Sequence, residues 1–84
     1  MQQQIILTCR SLTYAQMTKR VLEATGITTT ILRTPQELTT RGCGYAARIP
    51  EKDLNKALAA LGKASIKPEK AFRQLGSSFS EVKV

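Results

Sequence analysis

The chain has 84 residues, a formal net charge of +7 and no histidine. Its length allows one domain with a modest core, and the missing histidine removes Ser-His-Asp and Cys-His catalysis together with histidine-based acid–base work. The two cysteines, Cys9 and Cys43, fall short of the four ligands a structural zinc site needs, so no metal is expected.

A first strand is expected over Gln3 to Cys9, rich in Ile and Leu and bounded by Arg10-Ser11. The run Ile5-Ile6-Leu7 is too short to cross a membrane or to form the core of a signal peptide. The protein is therefore expected in the cytoplasm, where both cysteines would stay reduced. Ser11 is suited to cap a helix from Leu12 to Thr25, since its hydroxyl accepts an amide of the first turn. Tyr14, Met17, Val21 and Leu22 recur at helical spacing as its buried stripe, and Gly26 closes it.

Ile27 to Arg33 begins with five consecutive β-branched residues and reads as a second strand, ended by Pro35. A polar loop leads to Gly42, and Tyr45 to Ile49 is a short third strand ended by Pro50. Glu51 to Ser65 reads as a second helix. Its apolar face is Leu54, Ala57, Leu58, Leu61 and Ala64, and Lys52, Lys56 and Lys63 form a solvated face opposite. A last extended segment starts at Ile66, with Phe72 as its core residue.

Residues 1–76 are expected to form the domain and 77–84 a polar C-terminal tail, in which Phe79, Val82 and Val84 alternate as in a small edge strand. The order is β-α-β-β-α-β. It predicts an α+β, ferredoxin-like sandwich: a four-stranded antiparallel sheet with two helices on one face. The first and third strands then lie side by side, which brings the end of one, Cys9, near the start of the other, Cys43.

Gly42-Cys43-Gly44 is the part of the chain with the most chemical character. A glycine on each side lets the backbone bend and the sulfur be approached closely. Arg41, two residues upstream, favours the thiolate, the form of cysteine that attacks electrophiles. The alternative is a tight turn whose cysteine is small enough to fit.

The block Pro35-Gln36-Glu37-Leu38-Thr39-Thr40-Arg41-Gly42-Cys43-Gly44 resembles the signature of a small bacterial family named "putative Se/S carrier-like". That family shows Pro-x-Glu-Ile, small polar residues and then Cys-Gly. Ser11, Ala15, Leu22, Gly26 and Ile27 agree with it, as does Pro50-Glu51-x-Asp53-Leu54, over roughly residues 4 to 74. Lys19 stands where the family often has Glu, and Cys9 where it often has an aromatic residue. The resemblance implies that Cys43 carries sulfur or selenium as a persulfide or selenenyl sulfide and passes it to an acceptor protein. Arg41, Gly42 and Gly44 are then the supporting loop, and Cys9 is a candidate second thiol. It further implies a sulfur donor such as a cysteine desulfurase, no cofactor and no enzymatic turnover.

The rival from another class is RNA binding. RNA-recognition motifs share the βαββαβ order and carry Arg/Lys-Gly-aromatic-Gly/Ala-aromatic on the third strand. Arg41-Gly42-Cys43-Gly44-Tyr45 fits that frame except at Cys43, which cannot stack on a base. Tyr45 is then the one platform left, so nucleic acid is disfavoured as a partner, and no membrane partner is expected. A thiol-redox or interaction module without catalysis is the third reading. Ile6, Thr8 and Ala46 on the open face of the sheet allow a homodimer.

Overall fold

The computed structural model of the protein describes residues 3–35 and 44–82. Its elements are β1 (Gln4–Cys9), α1 (Leu12–Ala24), β2 (Thr30–Arg33), β3 (Tyr45–Pro50), a 3-10 turn (Glu51–Asp53), α2 (Leu54–Lys63), β4 (Lys70–Leu75) and β5 (Ser78–Val82). Ser11 caps α1 as its chemistry predicts, accepting the Tyr14 amide at 3.2 Å.

Both helices stop in the same way. After α1, Gly26 takes φ +92°, its amide bonds the Glu23 carbonyl, and the Ile27 amide bonds that of Leu22. After α2, Ser65 takes φ 59°, its amide bonds the Gly62 carbonyl, and the Ile66 amide bonds that of Leu61. This is the Schellman arrangement, which satisfies carbonyls left open at a helix end. In each case it turns an isoleucine down into the core.

The caps explain two differences from the sequence reading. Strand pairing starts at Thr30 and not at Ile27, because Ile27 belongs to the helix cap and Thr29 folds its hydroxyl back onto the Ile27 carbonyl at 3.1 Å. The second helix ends at Lys63 and not at Ser65, because Ser65 is in the left-handed region. It also opens with a 3-10 turn after Pro50, without a side-chain cap.

The five strands form one antiparallel sheet in the order β2-β3-β1-β4-β5. β1 and β3 are neighbours and antiparallel, as expected. The sheet has five strands where four were expected, because Ser78–Val82 folds back along β4 and pairs Ala71 with Val82. Gly76, at φ +63°, sits in the turn between them.

Register divides the side chains. Ile5, Leu7, Ala47, Ile49 and Ala71 point to the helices and join Leu22, Ala57 and Leu61 in the core. Gln4, Ile6, Thr8, Ala46, Arg48 and Phe72 share the other face. Phe72 is therefore a half-buried residue of the open face, and Ala71 fills the core position expected of it. Phe79, opposite Gln74, stands on the same open face.

Ile6, Thr8 and Ala46 do stand on that face, yet all three are buried. Ile6 lies between Arg48 and Phe72 in register, longer side chains that leave it little surface. On α1 the buried residues are Ala15, Thr18 and Leu22; Tyr14 and Val21 are half-buried, and Met17 is 41 % exposed. On α2, Ala57 and Leu61 are buried, Leu54 and Leu58 half-buried, and Ala64 exposed. No helix among the described residues is long and apolar enough to cross a membrane.

Candidate functional site

Arg41, Gly42 and Cys43 lie outside the described residues. The frame from which that segment departs is well defined. β1 ends at Cys9, directly opposite Tyr45, the first residue of β3. Tyr45 is also opposite Arg33, the last residue of β2. One residue further out, the Thr34 amide donates to the Gly44 carbonyl at 3.1 Å. The 36–43 segment is therefore based on a closed strand end, bounded by Thr34-Pro35 and Gly44.

Gly44 is where the backbone needs a glycine. Its φ is +154°, and a Cβ there would lie 3.3 Å from Thr34 Oγ1 and 3.6 Å from the Cys9 carbonyl oxygen. The residue bonded to Cys43 thus packs against the backbone of Cys9. The topology brings the end of β1 to the start of β3, as the order of elements predicts. Cys43 is the residue that precedes Gly44 in the chain.

Cys9 itself points the other way from solvent. It is 4 % exposed and lies on the helix side of the sheet, its Sγ 3.9 Å from Thr18 Oγ1 and 3.6 Å from the Leu7 carbonyl. Burial raises its pKa above the ordinary 9.0; the Thr18 hydroxyl opposes this, and the charge of Glu69 adds to it. Thr18 is buried without strain because its hydroxyl donates to the Tyr14 carbonyl at 2.9 Å, within its own helix. Cys9 is thus a small neutral residue between sheet and helix, with little thiolate at neutral pH.

Two arginines frame the same end of the sheet. Arg10 follows Cys9, and its guanidinium carbon sits 4.6 Å from the centre of the Tyr14 ring. Arg33 ends β2, and its guanidinium carbon sits 5.7 Å from the centre of the Tyr45 ring. Cation–π attraction holds both groups over the rings. Sequence reading missed both: Arg33 and Tyr45 meet only once β2 and β3 pair, whereas Arg10 and Tyr14 are four residues apart across the start of α1, a local spacing open to reading. Tyr45 shares a face with Ala47 and Ile49, the helix side, and not the open face on which an RNA-recognition motif would stack bases.

An open groove of about 470 Å³ between α1 and α2, lined by Val21, Ala24, Thr25, Lys56, Ala59, Ala60 and Lys63, contains none of these residues.

Fold and site together describe a small α+β protein of two helices on a five-stranded antiparallel sheet, with a glycine-flanked cysteine carried on the connection between β2 and β3. A sequence profile of the family described as "Putative Se/S carrier protein-like" matches residues 4–73, and the chain belongs to that family. No curated protein and no solved structure matches it.

Proposed function

We propose that the protein carries sulfur or selenium on Cys43, as a persulfide or selenenyl sulfide, and delivers it to an acceptor protein. The observation that carries this reading is membership of the Se/S carrier-like family over residues 4–73, a range that contains Cys43 and the scaffold described above. The fold is read as a ferredoxin-like sandwich extended by the β4–β5 hairpin, and the setting as bacterial cytoplasm.

The chemistry needs one reactive thiol. The Cys43 thiolate attacks the terminal sulfur of a donor persulfide. A new S–S bond forms on Cys43, the donor S–S bond breaks, and the donor cysteine leaves as a thiolate. No net oxidation occurs, so neither a cofactor nor an acid–base pair is required. Sulfur is cargo in this scheme, and the protein alternates between loaded and unloaded forms without catalysing turnover. A cysteine desulfurase is the donor class that fits.

Cys9 takes a structural part here. Its burial and raised pKa oppose a direct role in loading. Reaction with a cysteine desulfurase and cysteine, followed by intact-mass and peptide mass spectrometry, is the test. Cys43→Ser abolishes loading, and Cys9→Ser retains it. Loading that survives Cys43→Ser and fails in Cys9→Ser would reverse the assignment.

A further inference from the structure

We propose that the open face of the sheet binds a second copy of the chain, stacked face to face about a two-fold axis parallel to the strands. The surface is defined by strand register alone and is independent of the carrier reading.

Leu7, Ala47 and Ala71 are paired across the sheet, lie in the core and fix which side faces the helices; Val82, opposite Ala71, packs on the same core. The next row out therefore faces away from them. It reads Thr30, Arg48, Ile6, Phe72, Glu81 across β2, β3, β1, β4 and β5. An apolar pair stands at its middle, with a cation two strands from Phe72 on one side and an anion next to Phe72 on the other. Arg48 and Glu81 are three strand spacings apart, about 14 Å, too far to pair within one chain. Among the described residues neither belongs to an ion pair.

A two-fold axis along the strands, passing between β1 and β4, reverses this row onto itself. Arg48 of one copy then lies over Glu81 of the other, twice by symmetry, and Ile6 lies over Phe72. The same operation serves the neighbouring row, Pro50, Gln4, Gln74, Phe79. It sets Pro50 over Phe79 and one glutamine amide over the other. Thr8 meets Lys70 in the row on the other side. An axis across the strands would instead set Arg48 over Arg48 and Glu81 over Glu81. The charge pattern thus selects a second copy as the occupant and the strand direction as the axis.

Arg48, Phe72, Phe79 and Pro50 are half-buried and Glu81 is exposed, so each has surface left to cover. Ile6 and Ala46, already buried, form the floor. Sheets stack about 10 Å apart with strands turned by about 30°, which keeps the central pairs in reach. Four strands overlap and β2 overhangs. Their flat contact is roughly 300 Å² a side, small for a specific interface and suited to a transient dimer.

Sedimentation velocity of the full chain under reductant, from about 5 µM to about 1 mM, is the test, with an expected dissociation constant on the order of 100 µM. Arg48→Glu and Glu81→Arg, each alone, should weaken the dimer about tenfold or more, because each sets two like-charge contacts across the axis. The double exchange, Arg48→Glu with Glu81→Arg, should restore it. Lys56→Glu, the same change of net charge placed on α2, should leave it unaltered.

A chain that stays monomeric at about 1 mM would overturn the proposal. So would a dimer that both single reversals leave intact, or one that the double exchange fails to restore while circular dichroism shows the fold retained. Tight binding of single-stranded RNA by a monomeric chain, lost in Phe72→Ala, would assign the face to nucleic acid instead.

Discussion

Cys9 is predicted to react with iodoacetamide only when the domain opens as a whole. It ends the central strand, with β3 paired on one side and β4 on the other, and α1 covers its sulfur. A chain of 84 residues has a stability of about 4–13 kcal/mol at the usual 0.05–0.15 kcal/mol per residue. At about 1.4 kcal/mol per decade, labelling of Cys9 should be at least a thousandfold slower than in urea-unfolded protein. Core substitutions should then speed it in proportion to the stability lost.

Leu22 is fully buried in the cluster beneath this strand. Leu22→Ala removes about 2–5 kcal/mol, an acceleration of roughly 30- to 3,000-fold where reclosing outpaces labelling. Ile49→Val, also in the cluster, removes about 0.5–1.5 kcal/mol and should accelerate labelling about 2- to 10-fold. Peptide mass spectrometry gives the rates, and urea denaturation gives the stabilities. Cys9 labelling in the native protein within tenfold of the unfolded rate would refute the reasoning. So would core variants that lower stability and leave the Cys9 rate unchanged, because labelling would then come from local opening.

Three further outcomes follow from the same geometry. Gly44→Ala should lower stability by about 1–3 kcal/mol, since the position holds φ +154° and its methyl would press on Thr34 Oγ1; an unchanged urea midpoint contradicts this. The Cys9 pKa is raised by burial, so the neutral thiol contributes stability that is complete below the ordinary value of 9.0 and is lost as pH rises through the folded value. The advantage of wild type over Cys9→Ala should therefore shrink above pH 9, and a constant gap from pH 8 upward would contradict it. Short single-stranded RNA should bind weakly and with strong salt dependence. Tyr45→Ala should not change that binding, because Tyr45 lies on the helix side beside Arg33; tight binding lost in Tyr45→Ala would overturn this.

Local chemistry made much of the fold legible. The Ser11 cap, the Gly26 stop and the β-α-β-β-α-β order follow from residue types and spacing, and the β1–β3 pairing follows from the order. What failed to show was set by register and tertiary context. Phe72 and Ala71 are adjacent, and a one-residue shift of register exchanges core for open face. The larger apolar residue looked like the buried one, but the pairing of Leu7 with Ala71 decided otherwise. Thr18 replaced Met17 on the buried side of α1 because its hydroxyl finds a partner in its own helix. Ser65 hid the end of α2, since nothing in a serine announces a left-handed backbone. Of the candidate site, the closeness of Cys9 to the start of β3 was legible. The inward orientation of the Cys9 side chain toward Thr18, and the placement of Arg33 beside Tyr45, needed the assembled sheet.

The central claim is that Cys43 is the atom-bearing thiol of a carrier. The most direct measurement is mass spectrometry of wild type, Cys43→Ser and Cys9→Ser after incubation with a cysteine desulfurase and cysteine, without reductant. The account predicts the added mass of one sulfur atom on the peptide containing Cys43 in wild type and in Cys9→Ser, its removal by dithiothreitol, and none in Cys43→Ser. Absence of added sulfur from wild type, or its appearance on the Cys9 peptide alone, would contradict it.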